Sequence, residues 1–381
     1  MGDLLITGCY RSGTTITEKL LHGRPEIALA SQPFPALYHV TKQRFLDQRS
    51  LTRRYPLDHL FLEDDYSRED FARFLEQYRL DQRDLDEVFE QLVRYGEGHW
   101  TPQIHAYRSR FRPGTFVSQL LELRGCIEEL LQKPQAVYVG SKEILCEEYI
   151  PFLLSRGCRV VLVLRDPRDV VTSVNFGERY VQMGAHRPIL YTLRAWRKSV
   201  AFALAYENTT GFQWVRYEDV VTRPRATVGN LLRGLGVDPP ESFSVEIRDQ
   251  SGEPWTGNSS FSDFSGVTTE SVGRFRERLP DDVVRYVETV CLPEMRAVGY
   301  SLQYDGDFDA SVLETYRPPF TEMHAKFPVD YSYSSEHVQQ ERHRQARLRG
   351  EEKHSAAEDR RWFICDGVSR RLAEALRPNE H

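Results

Sequence analysis

DLLITGCYRSGTT, running from Asp3 to Thr15, is the stretch from which the rest of the chain can be placed. Asp3 to Thr7 reads as a buried first strand. Gly8 to Gly13 is a loop bounded by glycines, and Ile16 and Leu20, four apart, carry a helical pattern. A GxxxxG frame between a strand and a helix lets successive backbone N–H groups converge on one anion, and the helix N-terminus adds its positive end. A nucleoside-triphosphate loop of this kind continues with Lys and then Ser or Thr. Here Thr14 stands where that Lys belongs, and the cation is inside the loop, at Arg11.

Working outward, residues 40–135 carry little strand signal. Phe71, Phe74, Leu75 and Tyr78 share one helical face. Leu85, Val88, Phe89, Leu92 and Val93 share another, preceded by Asp84 and Glu87 at capping-box spacing. From about 136 an α/β pattern resumes. Ala136–Gly140 reads as a short strand and Leu145–Ser155 as a helix stopping near Gly157. Arg159–Leu164 (RVVLVL) reads as a central strand covered on both faces. A long helix holding Trp196 follows Pro188, then a strand at Phe212–Tyr217 and a helix at Val228–Leu235 closing at Gly236. Alternating strands and helices imply a central parallel sheet flanked by helices. The expected fold is therefore α/β, residues 1–303, with a helical insertion at about 40–135 and a C-terminal helical extension at 304–381. Gln339 to Arg361 is charged and shows no clean apolar stripe, which predicts a partly solvated tail. A lid or an oligomer contact is the sharper alternative.

Composition narrows the function. The 381 residues are 40% hydrophobic and 28% charged, with net charge −6, which argues against a general nucleic-acid binder and leaves room for a local basic pocket. No secretory signal pattern opens the chain, and the clear apolar stretch Val160–Leu164 has a strand's length rather than a membrane span's. The Met-Gly start does not continue as a myristoylation signal, because residue 6 is Ile. Cys9, Cys126, Cys146, Cys158, Cys291 and Cys365 are far apart, without metal-ligand spacing, and are expected as reduced thiols in a cytoplasmic protein.

A second motif follows the central strand: Arg165-Asp-Pro-Arg-Asp-Val-Val-Thr-Ser173. Arg165 sits at the carboxyl end of a parallel strand, where open α/β sheets bind ligands, and Ser173 falls about two helical turns further on. A guanidinium and a hydroxyl there can grip a second phosphate. With Arg11-Ser-Gly-Thr-Thr15, this motif resembles the sulfotransferase family that uses 3′-phosphoadenosine 5′-phosphosulfate (PAPS). The Arg form of the loop is similar to the tyrosylprotein and bacterial types. The resemblance implies that Arg11, Ser12, Gly13, Thr14 and Thr15 hold the 5′-phosphosulfate, and that Arg165 and Ser173 hold the 3′-phosphate. Val215-Arg-Tyr217-Glu-Asp resembles the family segment whose Tyr approaches adenine. Asn258-Ser-Ser-Phe261 with Gly273-Arg-Phe-Arg276 resembles the late segment that closes over the nucleotide. This implies roles for Ser259 and Ser260 near the phosphosulfate and for Arg274 and Arg276 near the 3′-phosphate.

Sulfuryl transfer passes in line between two oxygens through a loose transition state, so positioning and charge stabilisation dominate. Arg11 and the loop N–H groups are expected to stabilise the departing phosphate, with Lys142 at a strand end as a second electrophilic stabiliser and no metal. The general base is less defined. The family's Glu site aligns with Ser31-Gln32, neither of which can act as a base. The phenol-type His position is Ile144. Glu143 is the first candidate, with His39 and His105 as alternatives. Phe34, Tyr38, His99, Trp100 and Tyr107, with Arg108, Arg110 and Arg112, suggest that the insertion builds the acceptor side. They suit an aromatic natural product, a glycolipid or a glycan. A non-catalytic nucleotide-binding relative and a P-loop kinase remain as competing readings, and a homo-oligomer is an open option.

Overall fold

The computed structural model describes residues 1–50, 67–96, 102–178, 186–239, 241, 244–247, 254–255, 266–304, 308–324, 331–351 and 356–377. The first strand, β1 (Gly2–Thr7), lies at the centre of a sheet with β2 (Ile27–Ser31), β5 (Tyr138–Lys142), β6 (Arg159–Leu164) and β7 (Phe212–Arg216). The order is β2-β5-β1-β6-β7 and every neighbouring pair is parallel. In a strand, successive side chains point to opposite faces. Leu4, Ile6, Val161 and Val163 accordingly pack on one face, against Ile16, Leu20 and Leu21 of α1 (Thr14–His22). Leu5, Val160, Leu162 and Leu164 enter the larger core on the other face. The expected α/β class with a central parallel sheet is the observed architecture.

The insertion comprises α2 (Pro35–Gln48), α3 (Arg68–Gln77), α4 (Gln82–Gly96), a 3-10 segment (Pro102–Arg110) and α5 (Phe116–Leu131). Its aromatic faces do not stand apart from the sheet. Phe45 meets Phe71 and Phe74, while Tyr149 packs on Tyr38, Phe71 and Phe116, all within the larger core. Three details differ from the sequence reading. An edge strand, β2, fills Ile27–Ser31; four apolar residues before a serine carry no period that separates strand from helix. The two-residue strands β3 (Arg79–Leu80) and β4 (Gly114–Thr115) form an antiparallel ribbon inside the helical segment. Leu145 has φ 58°, so the helix expected from that residue starts only after a 3-10 turn, as α6 (Ile150–Ser155).

Beyond β6 come α7 (Pro167–Asn175) and α8 (Ile189–Tyr206). Beyond β7 come α9 (Tyr217–Thr222), α10 (Pro224–Gly234), α11 (Phe275–Arg278) and α12 (Asp281–Ala297). The C-terminal extension adds α13 (Ala310–Thr315), α14 (Ser335–Leu348), α15 (Ala356–Phe363) and α16 (Val368–Ala375). The extension is helical, as expected, and its buried face packs against the body. The buried positions of α14 are Glu341, Arg344, Gln345 and Leu348, a helical stripe that is polar rather than apolar. Glu341 accepts from Arg194 Nε at 2.9 Å and from Arg197 Nη1 at 2.6 Å, both on α8, while Arg344 pairs with Glu294 of α12. Among the described residues no helix is long and apolar enough to cross a membrane. All six cysteines are buried and unpaired.

Burial pushes the Glu341 carboxyl up, but Arg197 and Arg194 outweigh it and hold it at about 2, below its ordinary 4.5. A carboxyl with a depressed folded pKa contributes stability above about 4.5 and loses it as pH falls through about 2. Glu341→Gln leaves two buried guanidinium groups without their counter-charge. It is expected to destabilise the fold by about 3–5 kcal/mol in urea titrations at pH 7. The gap to the parent protein should close progressively below pH 4.5.

Candidate functional site

The site lies at the carboxyl ends of β1, β5, β6 and β7, where open parallel sheets leave a crevice. Between β1 and α1 the loop turns through Gly8, at φ 151°, and Gly13, at φ 91°. A Cβ on Gly8 would lie 2.4 Å from the Val163 carbonyl, and one on Gly13 would lie 2.3 Å from the Tyr217 ring. Both positions therefore demand glycine, for conformation and for space. Arg11 is held at φ 61°, a strained backbone for a side-chain-bearing residue. Its Nε donates to Ser173 Oγ at 3.0 Å. This one contact joins the two motifs across 162 residues of sequence.

Arg165 completes the link. Its Nη1 donates to the Arg11 carbonyl at 3.1 Å and its Nη2 to the Ser271 carbonyl at 2.6 Å. The guanidinium lies 4.6 Å from the Tyr217 ring centroid, and Trp196 Nε1 fixes the Arg165 carbonyl at 2.7 Å. Arg165 Nε is buried with no hydrogen-bond partner among the described residues, which is the kind of orphan donor an anionic ligand satisfies. Asp169 draws in the late segment by accepting from Gly273 N at 2.7 Å and Phe275 N at 3.0 Å. Arg274 and Arg276 thereby flank α7. Arg274 Nε is turned to the Glu270 carbonyl, and Arg276, exposed, covers the Phe275 ring. Ser12 is fully buried and donates to the Cys9 carbonyl at 2.6 Å, so it shapes the loop from within. Thr14 is buried and Thr15 half-buried at the start of α1. Ser259 and Ser260, with His99 and Trp100, lie outside the described residues.

The β2–β5 edge brings in the remaining candidates. Register pairs Ser31 and Ile6 with Lys142 on either side. Lys142 is fully buried and its Nζ donates to Gln32 Oε1 at 2.8 Å. Gln32, in the segment the resemblance assigns to a Glu base, is thus the holder of Lys142, and its φ of 45° aims it there. Glu143 is also fully buried. Its Oε1 accepts the Phe34 N–H at 3.0 Å, and its Oε2 has no partner among the described residues. Burial pushes the Lys142 ammonium down to about 8. It pushes the Glu143 carboxyl up to about 8, against the opposing effects of the Phe34 N–H and Lys142. Each buried group is driven toward its neutral form.

Other sequence candidates are placed elsewhere. His39 hydrogen-bonds Gln91 and His105 meets Phe89 edge-on, both on α4. Phe34 and Tyr38, expected on the acceptor surface, are core residues; Phe34 packs on Phe89 and Phe111. Arg108 pairs with Asp86, and Arg110 with Glu122 and Glu129, so carboxylates offset their charge. Sequence reasoning missed Asp169, Ser271 and Tyr10, whose hydroxyl donates to Thr192. The second Asp of the RDPRD run was visible, but its backbone partners lie 104 and 106 residues away.

The residues present suit a ligand carrying two separated anionic groups: a glycine loop with Arg11 for one, and Arg165 with Ser173 for the other. A model of the sulfotransferase family matches residues 3–241. Carbohydrate sulfotransferase 7 of Mus musculus is 33% identical over 87 residues, covering 23% of this chain and only 18% of that protein. The sulfotransferase domain from the curacin biosynthetic pathway overlaps 82% of this chain and 95% of its own at 15% identity and TM-score 0.38. Retinol dehydratase, solved with androsterone and inactive cofactor PAP, overlaps 80% of this chain and 82% of its own at 16% identity and TM-score 0.37. At these TM-scores the structural overlaps add nothing to the match of the family model.

Gly13→Ala is expected to destabilise the protein by about 1–3 kcal/mol, the cost of a strained left-handed residue, increased by the collision with Tyr217. Thermal denaturation of Gly13→Ala and of the Gly13→Ala/Tyr217→Ala pair separates the two contributions. The pair should recover the steric part only.

Proposed function

The chain belongs to the sulfotransferase family, and from that premise we propose that it transfers a sulfuryl group from PAPS to a hydroxyl or amine of a small-molecule or glycan acceptor. The observation that carries the PAPS reading is the Arg11–Ser173 hydrogen bond with Arg165 locked onto the same loop. It supports reading the loop as the place for a 5′-phosphosulfate and the Arg165–Ser173 side as the place for a 3′-phosphate. Arg11 and the N–H groups of Gly13, Thr14 and Thr15 would hold the first group. Arg165 and Ser173, with Arg274 and Arg276 from the late segment, would hold the second. Tyr217, packed between Gly13 and Arg165, would meet the adenine, and Ser259 and Ser260 would close over the phosphosulfate. PAPS supplies the sulfuryl group. A nucleoside triphosphate would lack its charge clamp here, because Thr14 occupies the Lys position.

Lys142 serves as a second positive group for charge that develops on the departing phosphate. Glu143, whose buried Oε2 has no hydrogen-bond partner among the described residues, receives the acceptor proton. The first role requires the ammonium, which is lost as pH rises through about 8. The second requires the carboxylate, which is gained as pH rises through about 8. The two limbs together make a bell-shaped rate profile centred near pH 8.

The cofactor class is tested by thermal shift with 3′-phosphoadenosine 5′-phosphate, AMP, and ATP with Mg²⁺. A rise with the 3′,5′-bisphosphate alone is expected, by the equivalent of about 2.7 kcal/mol at a hundredfold excess over Kd. A rise with ATP–Mg²⁺ in its place would turn the assignment toward a kinase. Arg11→Ala should abolish transfer with the fold intact. Arg165→Ala should weaken 3′-phosphorylated nucleotides far more than adenosine 5′-phosphosulfate. Glu143→Gln should remove the acid limb of the rate profile, and an unchanged profile would take the base role from Glu143.

A further inference from the structure

Between Lys142 and α6 the chain makes a short turn that is fastened from two sides. From the sheet, β1 and the loop after it receive three of its N–H groups. Glu143 donates to the Ile6 carbonyl at 2.9 Å, Leu145 to the Gly8 carbonyl at 3.1 Å, and Cys146 to Thr7 Oγ1 at 3.2 Å. Leu145 holds φ 58°, a left-handed backbone that a leucine keeps only where its surroundings impose it. From the other side comes Lys42 of α2, which is 3% exposed. Its Nζ donates to the Leu145 carbonyl at 2.9 Å and to Glu148 Oε2 at 2.8 Å. Lys198 of α8 pairs with Glu148 Oε1 and with Glu147 Oε2, each at 2.9 Å, and Ser199 Oγ donates to Glu147. Two lysines and two glutamates thus balance in charge behind the turn. Leu145 is gripped at both ends: its carbonyl by Lys42, its N–H by Gly8, which opens the glycine loop.

We propose that Lys42 is a positioning residue of the transfer site. By holding the Leu145 carbonyl it keeps that residue left-handed and its N–H on Gly8, so that the glycine loop and Glu143 stay in one fixed relation. The proposal rests on the roles given to the loop and to Glu143 above. Without the Lys42 donor a buried carbonyl is left unsatisfied, and the leucine relaxes toward negative φ, which turns its N–H away from Gly8. Lys42 therefore does two separable things. Its pairing with Glu148 needs a charge, whereas its bond to the carbonyl needs only an N–H. Glu148 retains Lys198 when Lys42 is replaced.

Lys42→Met removes both functions and leaves a carboxylate in excess. Lys42→Met/Glu148→Gln removes the donor but restores the balance of charge, with Lys198 and Glu147 as the remaining pair. In urea denaturation the midpoint of the single variant should fall and that of the double variant should return most of the way. Amide hydrogen exchange on the ligand-free double variant then reads the coupling. The Leu145 N–H should exchange at least about tenfold faster than in the parent, the worth of one hydrogen bond, while the amides of β6 keep their protection. The Kd for 3′-phosphoadenosine 5′-phosphate should rise by about tenfold in the same variant. Unchanged exchange at Leu145 overturns the proposal. Equal loss of protection at Leu145 and β6 marks Lys42 as merely structural and overturns it too. Faster exchange at Leu145 with unaltered affinity for the bisphosphate removes the positioning role. If the parent itself does not bind the bisphosphate, the PAPS reading fails separately, and exchange at Leu145 and at the loop amides of Arg11 to Thr15 still decides whether Lys42 fixes the loop. If the double variant does not fold, Glu148→Gln decides, because it keeps the donor and changes only the pairing. Leu145 protection retained relative to β6 supports the proposal, and its loss there ends it.

Discussion

The guanidinium of Arg165 is the contact on which the site's assembly depends. One nitrogen holds the backbone of the glycine loop and another holds the loop at Ser271, while its face rests on Tyr217. The residue's own carbonyl is tied to Trp196 in the middle of a long buried helix. Three segments far apart in the chain are thus referred to a single planar ion, and a fourth to the backbone of the same residue. A guanidinium suits this because its donors diverge in one rigid plane and its charge survives burial. Its remaining donor, Nε, is buried without a hydrogen-bond partner among the described residues.

Buried ions recur through the molecule, each with its counter-charge in place. Arg168 pairs with Asp166 at 2.6 Å and with Glu288 at 2.5 Å, fixing α7 to α12 beside Arg165. Lys198 of α8 meets Glu147 and Glu148, each at 2.9 Å. Arg194 and Arg197 receive Glu341 from the C-terminal extension. Replacing such pairs with apolar side chains is often neutral for stability, whereas breaking one is expensive. Their effect here is to make the docking of α14 specific: a helix that presents Glu341, Arg344 and Gln345 can settle only where the complementary charges wait.

The same logic explains what could be read in advance. The glycine loop, the all-apolar β6 and the RDPRD run carry their meaning in adjacent residues, through period, turn chemistry and charge, and the sheet they announce is the one observed. How the extension packs could not be read, because its buried stripe is polar and hydrophobic periodicity is silent about it. Phe34 and Tyr38 were assigned to a surface because aromatic residues in a variable segment read alike whether they face an acceptor or a core. Gln32 was recognised as unable to act as a base, yet its hold on Lys142 depends on β2, an edge strand too short to show a period.

Local chemistry along the chain therefore determined that there is a parallel sheet, a glycine-bounded loop at its centre, and a cationic strand end carrying Arg165. Tertiary structure alone decided that Arg11 reaches Ser173, that Asp169 gathers the Gly273 segment, and that Gln32 receives Lys142. The physical reason is distance. Backbone propensity and periodicity act over a few residues, whereas the pairing of buried charges is settled only when strands and helices more than a hundred residues apart have packed.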